Sequence, residues 1–283
     1  MVTLTLAACA LACSSSPWGG GEPTDAGTRD TRLDCSGPGA LQADSIAAFV
    51  AQLSHSKHRY TPLSTEAMNV VMAATRALDD GDVNGARLAL QEGDAATPAN
   101  YRLLPLTAAG KCYWVLQPKP SMYTEQATLI YAARWQRDLV IEAPHVPEDH
   151  HTDAEAAELF SKVHAKAVII AGAHRCSVTT ASNCRPSTEC NQAGIAVKSD
   201  PSHSVDSALH AMHLAFKDTH AVVLQLHTNL HPELNGDALV SNGTHFVIPG
   251  TPAEAFYQAL RAPDIDVRSC NDPDNPLMGA FCG

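Results

Sequence analysis

Between residues 127 and 226 the chain carries four short runs of apolar and β-branched residues, at 127–133, 139–143, 167–171 and 221–226, and they limit the fold more than any other feature. Runs of that length without polar alternation are strands covered on both faces. Helical patterns lie between them. Ala156, Leu159, Phe160 and Val163 form one apolar stripe, in a helix predicted to start at a Thr152 or Asp153 cap and to run through about Lys166. A second helix is predicted over 205–217 and a third over 252–261, with a short strand at 246–248. Strands that alternate with helices imply an α/β domain, a mostly parallel or mixed sheet with helices on both faces.

The segments before this region read differently. Ser64 is a favoured N-cap ahead of Met68, Val71, Met72 and Leu78 at helical spacing, and 83–91 reads as a return helix after the break at 79–82. Residues 41–95 are therefore expected to be a small helical cap within a single domain spanning 41–283. Residues 101–107 and 112–117 read as strands joined by a turn around Gly110. Residues 14–40 are rich in Ser, Gly, Pro and charge without periodicity, as in a flexible tether. Residues 1–13 are a short apolar run with small residues before cysteine, which is how an export signal reads. The run resembles a bacterial lipoprotein signal: Leu6, Ala7, Ala8 and Cys9 match its box, and Ala10, Leu11, Ala12 and Cys13 match it less closely but lead into a polar Ser14–Ser16 segment. That resemblance implies lipidation at Cys13, or at Cys9, and a place in the bacterial cell envelope. The basic residues that open such signals are missing, since no Lys or Arg precedes Arg29.

Cysteine usage agrees with export. Nine cysteines in 283 residues fit an oxidising compartment. Short spacings point to local staples, Cys270 with Cys282 and Cys176 with Cys184 or Cys190. The formal net charge of -11 argues against nucleic acid and against anionic membrane surfaces as partners, leaving membrane contact to a lipid anchor.

The chemistry concentrates where the strands end. The run at 139–143 stops at Pro144 and is followed by His145, Glu148, Asp149, His150, His151 and Asp153. His145 and Glu148 stand in an HxxE spacing, which on a turn leaving a strand aims an imidazole and a carboxylate at one ion; Asp149 is the alternative carboxylate, one residue on. The strand at 167–171 leads into Gly172, His174 and Arg175, and the strand at 221–226 ends at His227. In open α/β sheets ligands collect at such carboxyl ends. His150, His151, His210, His213 and His220 are read as surface or partly buried side chains, with His150 or His231 available to close a structural metal site.

These residues resemble the zinc carboxypeptidase-like hydrolases, including the N-formylglutamate amidohydrolase branch, over about residues 139–248. The resemblance implies that His145, Glu148 and His227 hold zinc. It further implies that Arg175 grips a substrate carboxylate or polarises the scissile carbonyl, with His174 beside it at the substrate, and that a carboxylate, here Glu233, serves as general base. The expected activity is hydrolysis of an amide bond in a peptide, a cell-wall fragment or an N-acyl amino acid. The stretch APHVPEDH is also similar to the turn of zinc-dependent sugar N-deacetylases, where the base directly precedes the ligand carboxylate; with Glu148 as ligand that position is Pro147. A third expectation is a non-catalytic envelope module on a hydrolase-like fold. Asp149, His150 and His151 spell a DHH phosphoesterase signature, but the further acidic motifs of that family are missing.

Overall fold

The structure, a computed structural model, describes residues 4–7, 35, 39–53, 60–96, 99–119, 125–182, 184, 190, 196–217, 219, 221–228, 236–242, 249–261 and 264–269. In chain order the elements are β1 (Leu4–Ala7), β2 (Leu41–Ala43), α1 (Ile46–Val50), α2 (Thr65–Asp79), α3 (Val83–Ala96), β3 (Tyr101–Ala108), β4 (Lys111–Pro118) and β5 (Thr128–Ala132). There follow β6 (Arg137–Ala143), α4 (Thr152–Lys162), β7 (Ala165–Ile170), α5 (Ala208–Lys217), β8 (Val222–Thr228), β9 (Ala238–Ser241), α6 (Pro252–Leu260) and β10 (Val267–Ser269).

All ten strands belong to one mixed sheet in the order β10-β9-β1-β8-β6-β7-β5-β4-β3-β2. Its centre is parallel: β6 pairs in parallel with β7 on one side and β8 on the other. The flank from β7 through β5 and β4 to β3 is antiparallel. β3 and β4 meet in a two-residue turn at Ala109 and Gly110, both with positive φ, the backbone that matches the twist of a hairpin.

Alternation along each strand divides the buried side chains between two cores. Val140, Ala167 and Ile169 face α2, α3 and α5, meeting Val71, Ala74, Leu78, Met212 and Phe216. Ile141, Ala143, Val168, Ile170 and Leu226 face α1 and α4, meeting Phe49, Val50, Ala156 and Phe160. The expected α/β fold with a mixed sheet and helices on both faces is what the chain adopts.

Several local expectations are corrected. Residues 41–43 form an edge strand, paired in parallel with β3, instead of opening a helix. The two helices expected after it do form, and α2 packs on α5 as well as on α3. The helix after the site ends at Lys162, four residues early, since His164 takes a left-handed φ of 52° and reverses the chain into β7. Its cap is His151, at φ 67° and with no side-chain cap bond, in place of Thr152 or Asp153. Ser64, by contrast, caps α2, its hydroxyl accepting the Ala67 N–H at 3.2 Å. The strand expected at 246–248, the Cys270 and Cys282 pair, and Cys9 and Cys13 lie outside the described residues.

Two disulfides join described cysteines. Cys176 pairs with Cys190, and Cys35 pairs with Cys112, 77 residues away on β4. They argue for an oxidising compartment. No described helix is long and apolar enough to cross a membrane.

Candidate metal centre

The centre of the sheet is also where the chain changes direction. From β6 it crosses through α4 to β7, then returns past β6 through α5 to β8, so the two crossover helices lie on opposite faces. In open α/β sheets such a reversal of direction, here between β6 and β8, marks where ligands collect at the carboxyl ends of the strands. His145 follows the end of β6, and His227 is the penultimate residue of β8. The turn after β6 adds a third group. The His145 carbonyl accepts both the Glu148 N–H at 2.8 Å and the Asp149 N–H at 2.9 Å, and this helical return, with a cis bond between Val146 and Pro147, brings Asp149 back beside His145. Thr152 then ties the turn to α4, its hydroxyl donating to the Asp149 carbonyl at 2.8 Å.

Three atoms converge there. His145 Nδ1 lies 3.1 Å from His227 Nδ1, His227 Nδ1 lies 3.0 Å from Asp149 Oδ2, and Asp149 Oδ2 lies 3.4 Å from His145 Nδ1. Ligands about 2.0–2.1 Å from a tetrahedral ion stand roughly 3.3 Å apart, so the triangle has the edge lengths of one face of such a tetrahedron. His145 and Asp149 are buried and His227 is half-buried. The donor set, two imidazoles and a carboxylate, suits a divalent transition metal.

A fourth residue holds the first. Asp200, fully buried, sits in the loop between β7 and α5 and faces His145 Nε2 through Oδ1 at 3.1 Å. A carboxylate can only accept, so Nε2 carries the proton and Nδ1 is directed at the triangle. The other oxygen of Asp200 faces His203 Nδ1 at 3.2 Å, and the Ser202 N–H donates to Oδ1 at 3.1 Å.

The electrostatics favour a cation at this point. Burial alone would lower the His145 pKa, but the carboxylates of Asp200 and Asp149 outweigh it and raise it to about 9. Burial likewise opposes ionisation of Asp149, yet its bonds to His145 and His227 hold it well below the usual carboxylate range. His227 is shifted down, chiefly by burial, which favours the neutral ring that can ligate. A metal ion at Nδ1 of His145 competes with a proton there, so metal uptake releases protons.

The other expected site residues are placed as follows. Glu148 is outside the triangle: Arg175 Nε approaches its Oε2 at 2.9 Å and His174 Nε2 approaches the same oxygen at 3.4 Å. The Arg175 contact is close in distance, but its N–H is not aligned on the oxygen as a hydrogen bond. Glu148, His174 and Cys176 together have metal-ligand spacing, but the Cys176 sulfur is bonded to Cys190. The Cys176 N–H also occupies His174 Nδ1 at 3.0 Å, which leaves the proton of the neutral ring on Nε2 and makes that atom a donor. Glu233, His231 and His220 lie outside the described residues; His150 and His151 are exposed.

Beneath the centre, on the α5 face, is a buried polar group. Glu142 is fully buried and accepts from Gln225 Nε2 at 2.7 Å, with His213 Nδ1 at 3.1 Å. His210, one turn earlier on α5, is 6% exposed, and its Nδ1 has no hydrogen-bond partner among the described residues. Both histidines are more deeply buried than the sequence reading placed them.

Asp200 and His203 are absent from that reading as well. The available signal was their i, i+3 spacing in SDPSHS, within a loop too long to be a mere connection. No known family model matches this chain, and no curated protein and no solved structure matches it.

Proposed function

We propose that the chain is an exported zinc-dependent hydrolase of amide bonds, acting on a peptide, a cell-wall fragment or an N-acyl amino acid at the bacterial cell envelope. One observation carries this reading: His145 Nδ1, Asp149 Oδ2 and His227 Nδ1 stand at the mutual spacing of three zinc ligands, with Asp200 fixing the tautomer of the first. Zinc held by two His and one carboxylate polarises a carbonyl and makes water acidic near neutral pH. The residues of the chain divide the remaining work. Asp200 keeps His145 turned with Nδ1 inward, and Arg175 and His174, one strand away on the exit of β7, supply positive charge and a donor to orient a substrate. The lipoprotein signal at residues 1–13 remains part of the proposal, with Cys13 or Cys9 as its anchor.

A second reading has its own observation. With Asp149 in the triangle, the acid directly before the ligand carboxylate is Glu148, which is where the resemblance to sugar N-deacetylases requires its base.

Elemental mass spectrometry of the purified chain tests the centre. About one zinc ion per chain is expected, lost in His145→Ala, Asp149→Ala and His227→Ala and retained in Glu148→Ala. Iron in place of zinc would redirect the chemistry, because two His and a carboxylate also hold that metal. Absence of any metal after zinc loading sinks the reading and leaves a binding module. Amine release from N-acyl amino acids and from N-acetylglucosamine then separates the two substrate classes.

A further inference from the structure

Asp200 has to be held before it can hold His145. Its carboxylate is fully buried, and it belongs to the loop between β7 and α5, where no strand ladder fixes the direction of a side chain. Oδ1 has two partners, His145 Nε2 at 3.1 Å and the Ser202 N–H at 3.1 Å. Oδ2 has one among the described residues, His203 Nδ1 at 3.2 Å. A carboxylate oxygen only accepts, so the His203 ring carries a proton on Nδ1 and donates it to Asp200. The backbone around this pair is secured without the imidazole. The Asp200 N–H donates to the Val197 carbonyl at 3.0 Å, the His203 N–H donates to the Asp200 carbonyl at 3.0 Å, and the Ser182 hydroxyl donates to the His203 carbonyl. What the imidazole adds is therefore confined to the carboxylate. Without it Oδ2 is a buried acceptor with no donor, which drives the carboxylate to turn in search of one and carries Oδ1 off its line to His145.

We propose that His203 is a positioning residue of the metal centre: its Nδ1–H fixes Asp200, Asp200 fixes His145, and the aim of His145 Nδ1 at the ion depends on the whole series. The proposal rests on the reading of His145, Asp149 and His227 as that centre. The brace runs from the surface to a ligand. The His203 side chain is 28% exposed and that of His145 is 6% exposed, with the fully buried Asp200 between them. No other described side chain hydrogen-bonds to Asp200, so its orientation has no substitute support once His203 is gone. Loss of the His203 imidazole leaves all three ligand atoms in the chain, and its effect on the ion is therefore transmitted by orientation alone.

The test is the zinc affinity of the full chain, measured by competition with a chromophoric chelator. His203→Leu removes the donor, and affinity is expected to fall by about tenfold. His203→Asn places an amide N–H where the imidazole Nδ1–H stands and is expected to restore affinity to within about threefold of wild type. A second readout follows the same bond: in the zinc-loaded chain the His145 Nε2–H proton resonance, drawn downfield by Asp200, moves upfield in His203→Leu and keeps its place in His203→Asn. Unchanged affinity in His203→Leu, or an equal loss in the Leu and Asn variants, overturns the proposal. Melting temperature identifies a Leu variant that fails to fold, and His203→Ala then takes its place. A wild-type chain that takes up no zinc sinks the metal reading and the role of His203 with it. Zinc binding that depends on His203, without hydrolysis of any amide, sinks the hydrolase reading and leaves the brace.

Discussion

At the scale of single residues, one carboxylate decides how good the centre is. Asp200 makes no contact with the centre of the triangle, yet it sets which nitrogen His145 offers and which way the ring faces. Asp200→Asn keeps the shape but presents an amide that can donate as well as accept, so the ring is no longer held to one tautomer. Metal affinity, measured by competition with a chromophoric chelator, is expected to fall by about 10–100-fold while the fold is retained. Unchanged affinity would show that the geometry of the turn alone orients His145. The choice between Glu148 and Asp149 also belongs to this scale. Both neighbours were in view from the sequence, but the His145 carbonyl accepts the N–H of each, and only the completed return of the chain brings the second carboxylate to the histidines. His145 and His227 were legible because each follows an apolar run that can only be a central strand.

At the scale of elements, α5 meets β6 and β8 through polar side chains in a place where apolar ones are the rule. Glu142 accepts from Gln225 Nε2 and faces His213 Nδ1, while Gln225 Oε1 and His210 Nδ1 have no hydrogen-bond partner among the described residues. Burial, the largest effect, lowers the His210 pKa to about 4, with the neighbouring His213 adding to the shift. The sign follows from linkage. The unfolded chain takes up a proton near the ordinary histidine value and the folded chain does not, so stability is full above about pH 6.5 and declines as pH falls towards 4. His213 runs the opposite way: burial opposes its charge, Glu142 overcomes this and raises its pKa, and its contribution is present in acid and lost as pH rises through the raised value. Urea unfolding at pH 7.5 and pH 5 is therefore expected to show a drop in stability that shrinks by about 1–2 kcal/mol in His210→Leu. An equal drop in both proteins would place the acid sensitivity elsewhere. Among the elements, the long apolar strands and the helix capped by Ser64 could be read directly. The misread ends are those where backbone conformation acts without a side-chain signal, such as the left-handed His151 and His164 at the two ends of α4.

At the scale of the whole molecule, a small number of long-range ties hold the outer parts to the parallel centre. The disulfide between Cys35 and Cys112 spans 77 residues, including α1, α2 and α3, and fastens the segment before β2 to β4. In the chain-entropy account, opening a loop of that size removes about 4 kcal/mol. Cys35→Ser paired with Cys112→Ser is expected to lower the urea midpoint markedly and to leave metal content unchanged, since the centre lies across the sheet. Loss of metal together with stability would mean that the centre depends on that flank. The sheet's outer members β1, β9 and β10 were not legible, because strands of three or four residues carry too little pattern and β1 coincides with the run that reads as an export signal.

The place of β1 bears on how such a sheet is made. Leu4 pairs with Thr228 and Leu6 with Val240, so β1 has partners that are synthesised only after β6 and β7. Closure of the sheet between β8 and β9 therefore waits until β9 has been synthesised. If the same residues are instead removed by a signal peptidase, β8 and β9 must find each other or another strand after translocation. N-terminal sequencing of the protein recovered from its producing cells distinguishes the two routes of biogenesis.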